Sequence, residues 1–402
     1  MNKKISIYHI LIQIVVLLIF YTSKTVYGGQ LYSIEFILIL GGFSFVLYMR
    51  RPVLTKNYMI FFLFAVFILL TGIMNGNDNY LTDLKNIFIL FSLCIFASSI
   101  SGVAYLQAYI RVVCFFCLIS LVFFIASLLN RDFVLAACNQ VSVTEELQYI
   151  ANPVYTFARA DNLLASLRNF GPFWEPGAFQ GFVIIAILIL LCSAKQKNIM
   201  GKFTLLGITL LTTQSTTGYI CLLIILVVFR NSIFNIYFKK SSYKNIYKLI
   251  FVALVVFMIG MIFNSNTIQN KFTNTNWSYI TRKKDFYNSL QVMAINPLWG
   301  LGRGTRIKEI YFQYNLVHNS NGVFHMFNSY GIPFGVVYLL FIVKWFGQNL
   351  LLNLNTISKC ACIAILILLL STEGLCFLPF YLSMLFSYKQ DWGIVKSERL
   401  EI

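Results

Sequence analysis

Charge is what this chain has least of. Only 11% of its 402 residues are charged, while 58% are hydrophobic. Soluble proteins carry about 25% charged residues, so a soluble multidomain protein is excluded. Histidine is scarcer still, at three residues, and no Cys/His spacing suggests a zinc site. The nine cysteines are an odd number, and all but Cys138 lie in or beside apolar runs. That excludes a disulfide framework and reads as small-residue membrane packing. No internal repeat or low-complexity segment occurs, and no glycine-rich loop is followed by the Lys-Ser/Thr of a nucleotide site. The net charge of +17 does not point to nucleic acid, because the cations fall in short loops between apolar runs, as topology signals do. Ionisable groups are missing from the middle of the apolar runs, where ion-coupled transporters need them.

What is present is a succession of apolar segments. They cover approximately 5–22, 31–49, 58–73, 86–100, 104–129, 177–194, 203–213, 217–230, 249–263, 322–343, 359–371 and 374–388. A backbone inside a bilayer must satisfy its own polar groups, so each is expected to be a helix. The expected fold is an all-α polytopic membrane protein of about twelve transmembrane helices, one integral domain over 1–402. Thr212-Thr-Gln-Ser-Thr-Thr-Gly218 predicts a broken pair at the seventh and eighth segments. Met1-Asn-Lys-Lys precedes the first run, and no small-residue cleavage site follows it, which predicts an uncleaved first span. With both termini cytoplasmic, 19 of the 31 Lys and Arg lie inside, as the positive-inside rule requires.

Two outer loops are too long to be turns, about 130–176 and 264–317, and long ordered loops are usually functional. The second holds Lys271, Arg282, Lys283, Lys284, Arg303, Arg306 and Lys308 against only Asp285 and Glu309. A solvated loop is the bland explanation; a cationic pocket for an anionic ligand is the functional one. The first loop ends in Arg168-Asn-Phe-Gly-Pro-Phe-Trp-Glu-Pro176. Pro176 suits the first position of a helix, which puts Glu175 at the helix N-terminus, where the dipole favours its ionised form. Glu175 is therefore better placed to accept hydrogen bonds or hold an arginine than to donate a proton. Arg168 can pair with it or grip a phosphate through its planar fork. Trp174, Phe173 and Phe170 offer flat faces to sugar rings, unless they are only an interfacial aromatic belt. In the second loop Gly300, Gly302 and Gly304 allow close backbone approach, with Arg303 and Arg306 beside them as anion ligands. His318, at the mouth of the 322–343 helix, has the chemistry to deprotonate a hydroxyl, and His325 is expected to face the bundle.

Arg168-x-x-Gly-x-Phe-x-Glu-Pro176, Pro297-Leu-Trp-Gly-Leu-Gly302, His318-Asn-Ser and Gly331-Ile-Pro-Phe-Gly335, in this order, resemble the bacterial O-antigen polymerase and ligase superfamily. The likeness covers roughly residues 160–340. The interval between Asn319 and Gly331 is longer than in ligase-like members, which favours a Wzy-type polymerase. The resemblance implies a GT-C-type glycosyltransferase with enlarged periplasmic loops, multi-pass in the bacterial cytoplasmic (inner) membrane. Its substrate would be an undecaprenyl-diphosphate-linked oligosaccharide, polymerised into O-antigen, capsule or exopolysaccharide. No cofactor or metal is implied, and the outer loops lack an Asp-x-Asp motif. Arg168, Glu175, Arg303 and His318 would be catalytic, with His318 as base, and Trp174, Arg282 and Arg306 would bind substrate. Membrane lipids and the pathway's chain-length regulator and flippase would be partners; nucleic acid would not. An O-antigen ligase or other oligosaccharyltransferase, and a non-enzymatic lipid-linked sugar flippase or transporter, are the alternatives.

Overall fold

The computed structural model describes residues 7–49, 55–76, 80–143, 147–160, 168–192, 198–238, 260, 277–316, 321–351 and 354–388. The elements run α1 (Ile7–Thr22), a π-helical turn (Val26–Leu31), α2 (Ser33–Tyr48), α3 (Thr55–Met74), α4 (Tyr80–Ser99), α5 (Gly102–Leu129) and α6 (Arg131–Ala136). Three strands follow, β1 (Asn139–Ser142), β2 (Gln148–Asn152) and β3 (Tyr155–Arg159). Next come α7 (Pro176–Cys192), α8 (Ile199–Thr212), α9 (Thr216–Val228) and α10 (Arg230–Phe238). The described chain ends with α11 (Trp277–Ile295), α12 (Thr305–Gln313), α13 (Gly322–Asn349), α14 (Thr356–Thr372) and α15 (Pro379–Ser383).

This is a helical membrane protein. α3, α4, α5 and α13 are each long and apolar enough to cross a membrane, and α1, α2, α7, α8 and α14 are shorter apolar helices. α5 shows how sequence selects both surroundings. Phe115, Leu118, Val122, Ile125 and Leu129 recur at helical spacing and are exposed, whereas Val112, Val113, Phe116 and Cys117 are buried. In water the first set would be an adhesive stripe; against lipid tails it costs nothing. α7 is different, because Pro176 through Leu190 are all buried. A helix that is apolar all round belongs at the centre of the bundle, and α5, α8 and α9 pack on it. α8 and α9 are separate helices joined through Thr213–Ser215, as the Thr/Gln/Ser run predicts. The 249–263 segment lies outside the described residues.

Two regions depart from the all-α expectation. First, residues 374–388 contain only the five-residue α15, yet Leu378, Phe380 through Phe386 and Tyr388 are buried. The segment starts beside Gly177, against which Glu373 packs, and finishes at the opposite end of the bundle. There Ser387 N donates to Asn57 Oδ1 at 2.9 Å, and Asn57 Nδ2 donates to Ser387 O at 2.8 Å. It therefore crosses as irregular chain enclosed by protein, the one setting in which non-helical backbone is tolerated at membrane depth. Apolar composition does not distinguish burial in protein from burial in lipid.

Second, the 130–176 loop carries an antiparallel sheet in the order β1-β2-β3. Its β2–β3 hairpin turns at Asn152, whose Oδ1 accepts from Val154 N at 3.1 Å and Tyr155 N at 2.8 Å. Tyr155, Phe157 and Ala158 join Val134 and Cys138 in a small core of their own. Thr156 N donates to Gly171 O at 2.6 Å, which pins the sheet to the segment leading into α7.

Candidate functional site

The 168–175 segment is held in place before it offers any side chain to a ligand. Asn169 is fully buried. Its Nδ2 donates to Ser120 Oγ (3.2 Å) and Thr212 Oγ1 (3.0 Å), and its Oδ1 accepts from Gly171 N (3.0 Å). Val26 N donates to Pro172 O at 3.0 Å, next to a bridge pairing Thr25 with Phe173. Phe173 is stacked on Phe182 and meets Phe20 edge-on. Phe170 and Phe173 are thus core residues, not sugar platforms; their apolar faces are consumed by packing. Trp174 stays half-exposed, with its Nε1 donating to Glu175 Oε1 at 2.8 Å and Lys24 Nζ 5.4 Å from its ring. Glu175 sits at the N-terminus of α7, its carbonyl accepting from Phe179 N. Arg168 Nε donates to Thr213 O at 3.1 Å, using the break between α8 and α9.

The second motif fits into a break in α13. Gly331 has φ 84° and ψ 165°, and Pro333 follows two residues later. Pro333 has no N–H to give Ser329 O, and the turn at Gly331 diverts Ile332 N from Asn328 O. The freed groups find partners in the 297–302 loop. Leu301 N donates to Asn328 O (2.8 Å), Gly302 N to Ser329 O (2.9 Å), and Ile332 N to Pro297 O (2.8 Å). Glycine is required at the contact: a Cβ on Gly300 would overlap the Ser329–Tyr330 backbone, and one on Gly331 would overlap Leu298 O. Asn75, at the end of α3, adds a bond from Nδ2 to Gly300 O at 3.1 Å. The two glycine-rich motifs read separately in the sequence are therefore the halves of one joint, and Arg303 emerges from it. Its guanidinium lies 4.3 Å from the Phe377 ring and 5.7 Å from the Tyr330 ring.

These anchors gather charge at the Glu175 end of the bundle. Arg168, Arg282 and Glu175 all act electrostatically on Glu373. Lys24 feels Arg303, Glu175 and Lys85, and His325 feels Arg303 and Lys24. Lys24 is solvent-accessible, yet enclosure by protein lowers its ammonium pKa, with Arg303 adding repulsion. Both hold for a side chain lining a concavity. Burial also lowers the Arg168 guanidinium pKa, and the Glu175 and Glu373 carboxyls work against that. Burial raises Glu373 well above the ordinary carboxyl range, with Glu175 adding to the effect and Arg282 and Arg168 opposing it. The result is a recess with several cations around a carboxyl pair. Outside it, Met59, Phe62, Leu63, Val66, Phe67 and Leu70 of α3 form with Trp299 an apolar groove of about 490 Å³. Trp299 stands four residues before Arg303.

The structure brings together Arg168, Trp174, Glu175, Arg282 and Arg303. Arg306 is exposed and donates from Nη1 to Asn75 Oδ1 at 3.0 Å, so it braces the joint. His318 lies outside the described residues. His325, expected to face the bundle, meets the loop helix α12 instead, with Nδ1 3.2 Å from Tyr311 Oη. Sequence reasoning missed Lys24, Lys85 and the role of Glu373. Isolated lysines at helix ends look like topology signals, and Glu373 looks like part of a short turn. The available clue was polarity without need: Thr22-Ser-Lys-Thr25 interrupts two apolar runs that a shorter turn would join. Compared with protein-family models, curated proteins and solved structures, the chain matches none.

Proposed function

We propose that this protein is a membrane-embedded glycosyltransferase that polymerises undecaprenyl-diphosphate-linked oligosaccharide repeats on the outer face of the bacterial cytoplasmic membrane. The observation that carries this is the convergence of Arg168, Arg282, Arg303, Lys24 and Lys85 around Glu175 and Trp174, beside an apolar groove. A lipid diphosphate is an anionic head on an apolar tail, and both halves have a counterpart here. The arginine forks suit phosphate oxygens bidentately. They would also stabilise the charge that builds on the diphosphate as the glycosyl bond breaks. Trp174 presents the one half-exposed ring of its motif to a sugar face, and Glu175 accepts from a sugar hydroxyl. The α3–Trp299 groove would take the first isoprene units. The GT-C-type assignment rests on the sequence resemblance. A base role for His318 rests on that resemblance alone, since the residue lies outside the described residues.

Deleting the gene in its host and resolving surface polysaccharide on a gel tests this. A ladder collapsing to core plus one repeat is the expected result. Long chains accumulating on the lipid carrier would instead mean a ligase. Repeats trapped on the cytoplasmic side would mean a flippase and would remove the catalytic roles.

A further inference from the structure

Glu175 and Glu373 are almost two hundred residues apart in sequence and meet at one point. Glu373 closes the C-terminal end of α14 and is only 6% exposed. It sits in a space left by a missing side chain: a Cβ on Gly177 would overlap its carboxyl. From there, two residues along α7 from Glu175, it lies close enough for the two carboxyls to act on each other, and Glu175 Oε1 accepts from Trp174 Nε1. Two ionised carboxylates in contact repel, and a hydrogen bond between them requires a proton. One turn further along α7, Gly181 makes room for Tyr381 Oη, a buried hydroxyl without a hydrogen-bond partner among the described residues. Gln180, fully buried with both amide atoms unpaired in the same sense, turns its carboxamide to Gly218 of α9. The Tyr381 hydroxyl is thus the polar group nearest Glu373 from α15. The charged and titratable groups facing the carboxyl pair are Arg168 from the loop before α7, Arg282 from α11, Tyr381 from α15 and, toward Glu175, Lys24. Tyr219 of α9 reaches it through Arg168.

We propose that Glu175 and Glu373 hold one proton between them and accept a second from the acceptor sugar hydroxyl, so that the pair is the base of the transfer. This rests on the glycosyl-transfer reading above. In the step, the acceptor O–H bond breaks and its oxygen bonds the anomeric carbon of the donor. The bond from that carbon to the diphosphate oxygen breaks, and its electron pair leaves with the diphosphate. The proton passes to Glu175 and then to water. Sharing one proton leaves the pair a single negative charge, so Arg168 and Arg282 keep positive charge in surplus for the diphosphate. The upward push that burial gives Glu373 is consistent with this arrangement.

The test uses the full-length protein in lipid, with a lipid-diphosphate-linked repeat as substrate across a pH series. Glu175→Gln is expected to lower kcat by about 100-fold or more, the usual scale of general-base loss. Glu175→Asp keeps the charge but shortens the reach, and is expected to lose about 10-fold or more. Glu373→Gln keeps a donor but has no proton to release. The wild type is expected to lose rate at alkaline pH, when a second charge competes with diphosphate for Arg168 and Arg282; Glu373→Gln is expected to lose that limb. Infrared difference spectra read the shared proton without turnover: a protonated-carboxyl band at neutral pH should be present in wild type and missing in Glu373→Gln. Absence of that band, or identical pH profiles, overturns the pair. Loss of rate in His318→Ala with a wild-type rate in Glu175→Gln gives the base role to His318 and overturns it too. The band without any glycosyl transfer by wild type overturns the base role through failure of the enzymatic reading, while the pair itself stands.

Discussion

Replacing Gly331 with Ala should disable the site from a distance. The backbone at 331 has φ 84° and ψ 165°, a conformation essentially reserved for glycine, and holding another residue there costs about 1–3 kcal/mol. The new Cβ would also overlap Leu298 O, a backbone atom with no rotamer to escape into. The chain can relieve both by undocking the 297–302 loop. That forfeits the Leu301–Asn328, Gly302–Ser329 and Ile332–Pro297 bonds, each contributing about 0.5–1.5 kcal/mol. The penalty is then roughly 1.5–4.5 kcal/mol, a sizeable share of the about 5–15 kcal/mol that holds a typical domain together. Arg303 leaves its place over Phe377 and Tyr330 in the process. A misplacement of about 1 Å is worth about 100-fold in rate, so polymer formation should fall by at least about that factor. The assay pairs in-cell polymer length with the thermal unfolding midpoint of purified protein. Gly347→Ala in the same helix is the control, because nothing lies within 4 Å of its added Cβ. Alanine is favoured over glycine in a helix interior by about 0.8–1 kcal/mol, so this variant should be at least as stable as wild type and fully active. Wild-type behaviour of Gly331→Ala in both assays would refute the reasoning about the joint.

Three other predictions follow the same logic. Arg303→Lys keeps the charge but loses the planar group stacked on Phe377 and the bidentate fork; transfer should drop about 10-fold or more, and full activity would rule out a bidentate requirement. Asn57→Leu removes three hydrogen bonds of a fully buried side chain, to Ser98 Oγ and to both partly buried backbone groups of Ser387. It should cost about 3–5 kcal/mol, since stranded buried groups cost about 1–3 kcal/mol each, read as a lowered unfolding midpoint. Glu373 binds its proton more tightly folded than unfolded. Its contribution to stability should therefore be fully present below the unfolded carboxyl pKa of about 4.3 and be lost as pH rises toward the folded value, with a slope of up to ~1.4 kcal/mol per pH unit. Glu373→Gln should flatten that decline; a slope unchanged from wild type would contradict it.

Much of the fold was legible because apolar runs between short cationic loops have few physical outcomes. The break at Thr212–Gly218 was legible too, since hydroxyl and amide side chains compete for helix carbonyls. The buried crossing at 374–388 was not, although Pro379 inside it was a warning. The small sheet went unread inside a loop, despite the alternation in Gln148-Tyr-Ile-Ala-Asn152 and the Asn-Pro turn after it. At the site, Arg168, three residues before Gly171-Pro172, and Glu175, next to Pro176-Gly177, announced themselves by their place around these turns. Glu373 did not, because its significance comes from Gly177, a contact that only the folded chain creates. Arg306 carried the same sequence signal as Arg303, yet one faces the recess and the other braces Asn75. Three residues of helix onset decide which way each points.

Elongation by the purified protein tests the central claim most directly. Wild-type protein in lipid vesicles is given lipid-diphosphate-linked repeats and no nucleotide sugar, and the products are resolved by size. A ladder of polymer from wild type, lost in Arg168→Gln and Arg303→Gln, is the predicted result. Repeats that stay single while moving across the vesicle membrane would contradict it and make the protein a transporter.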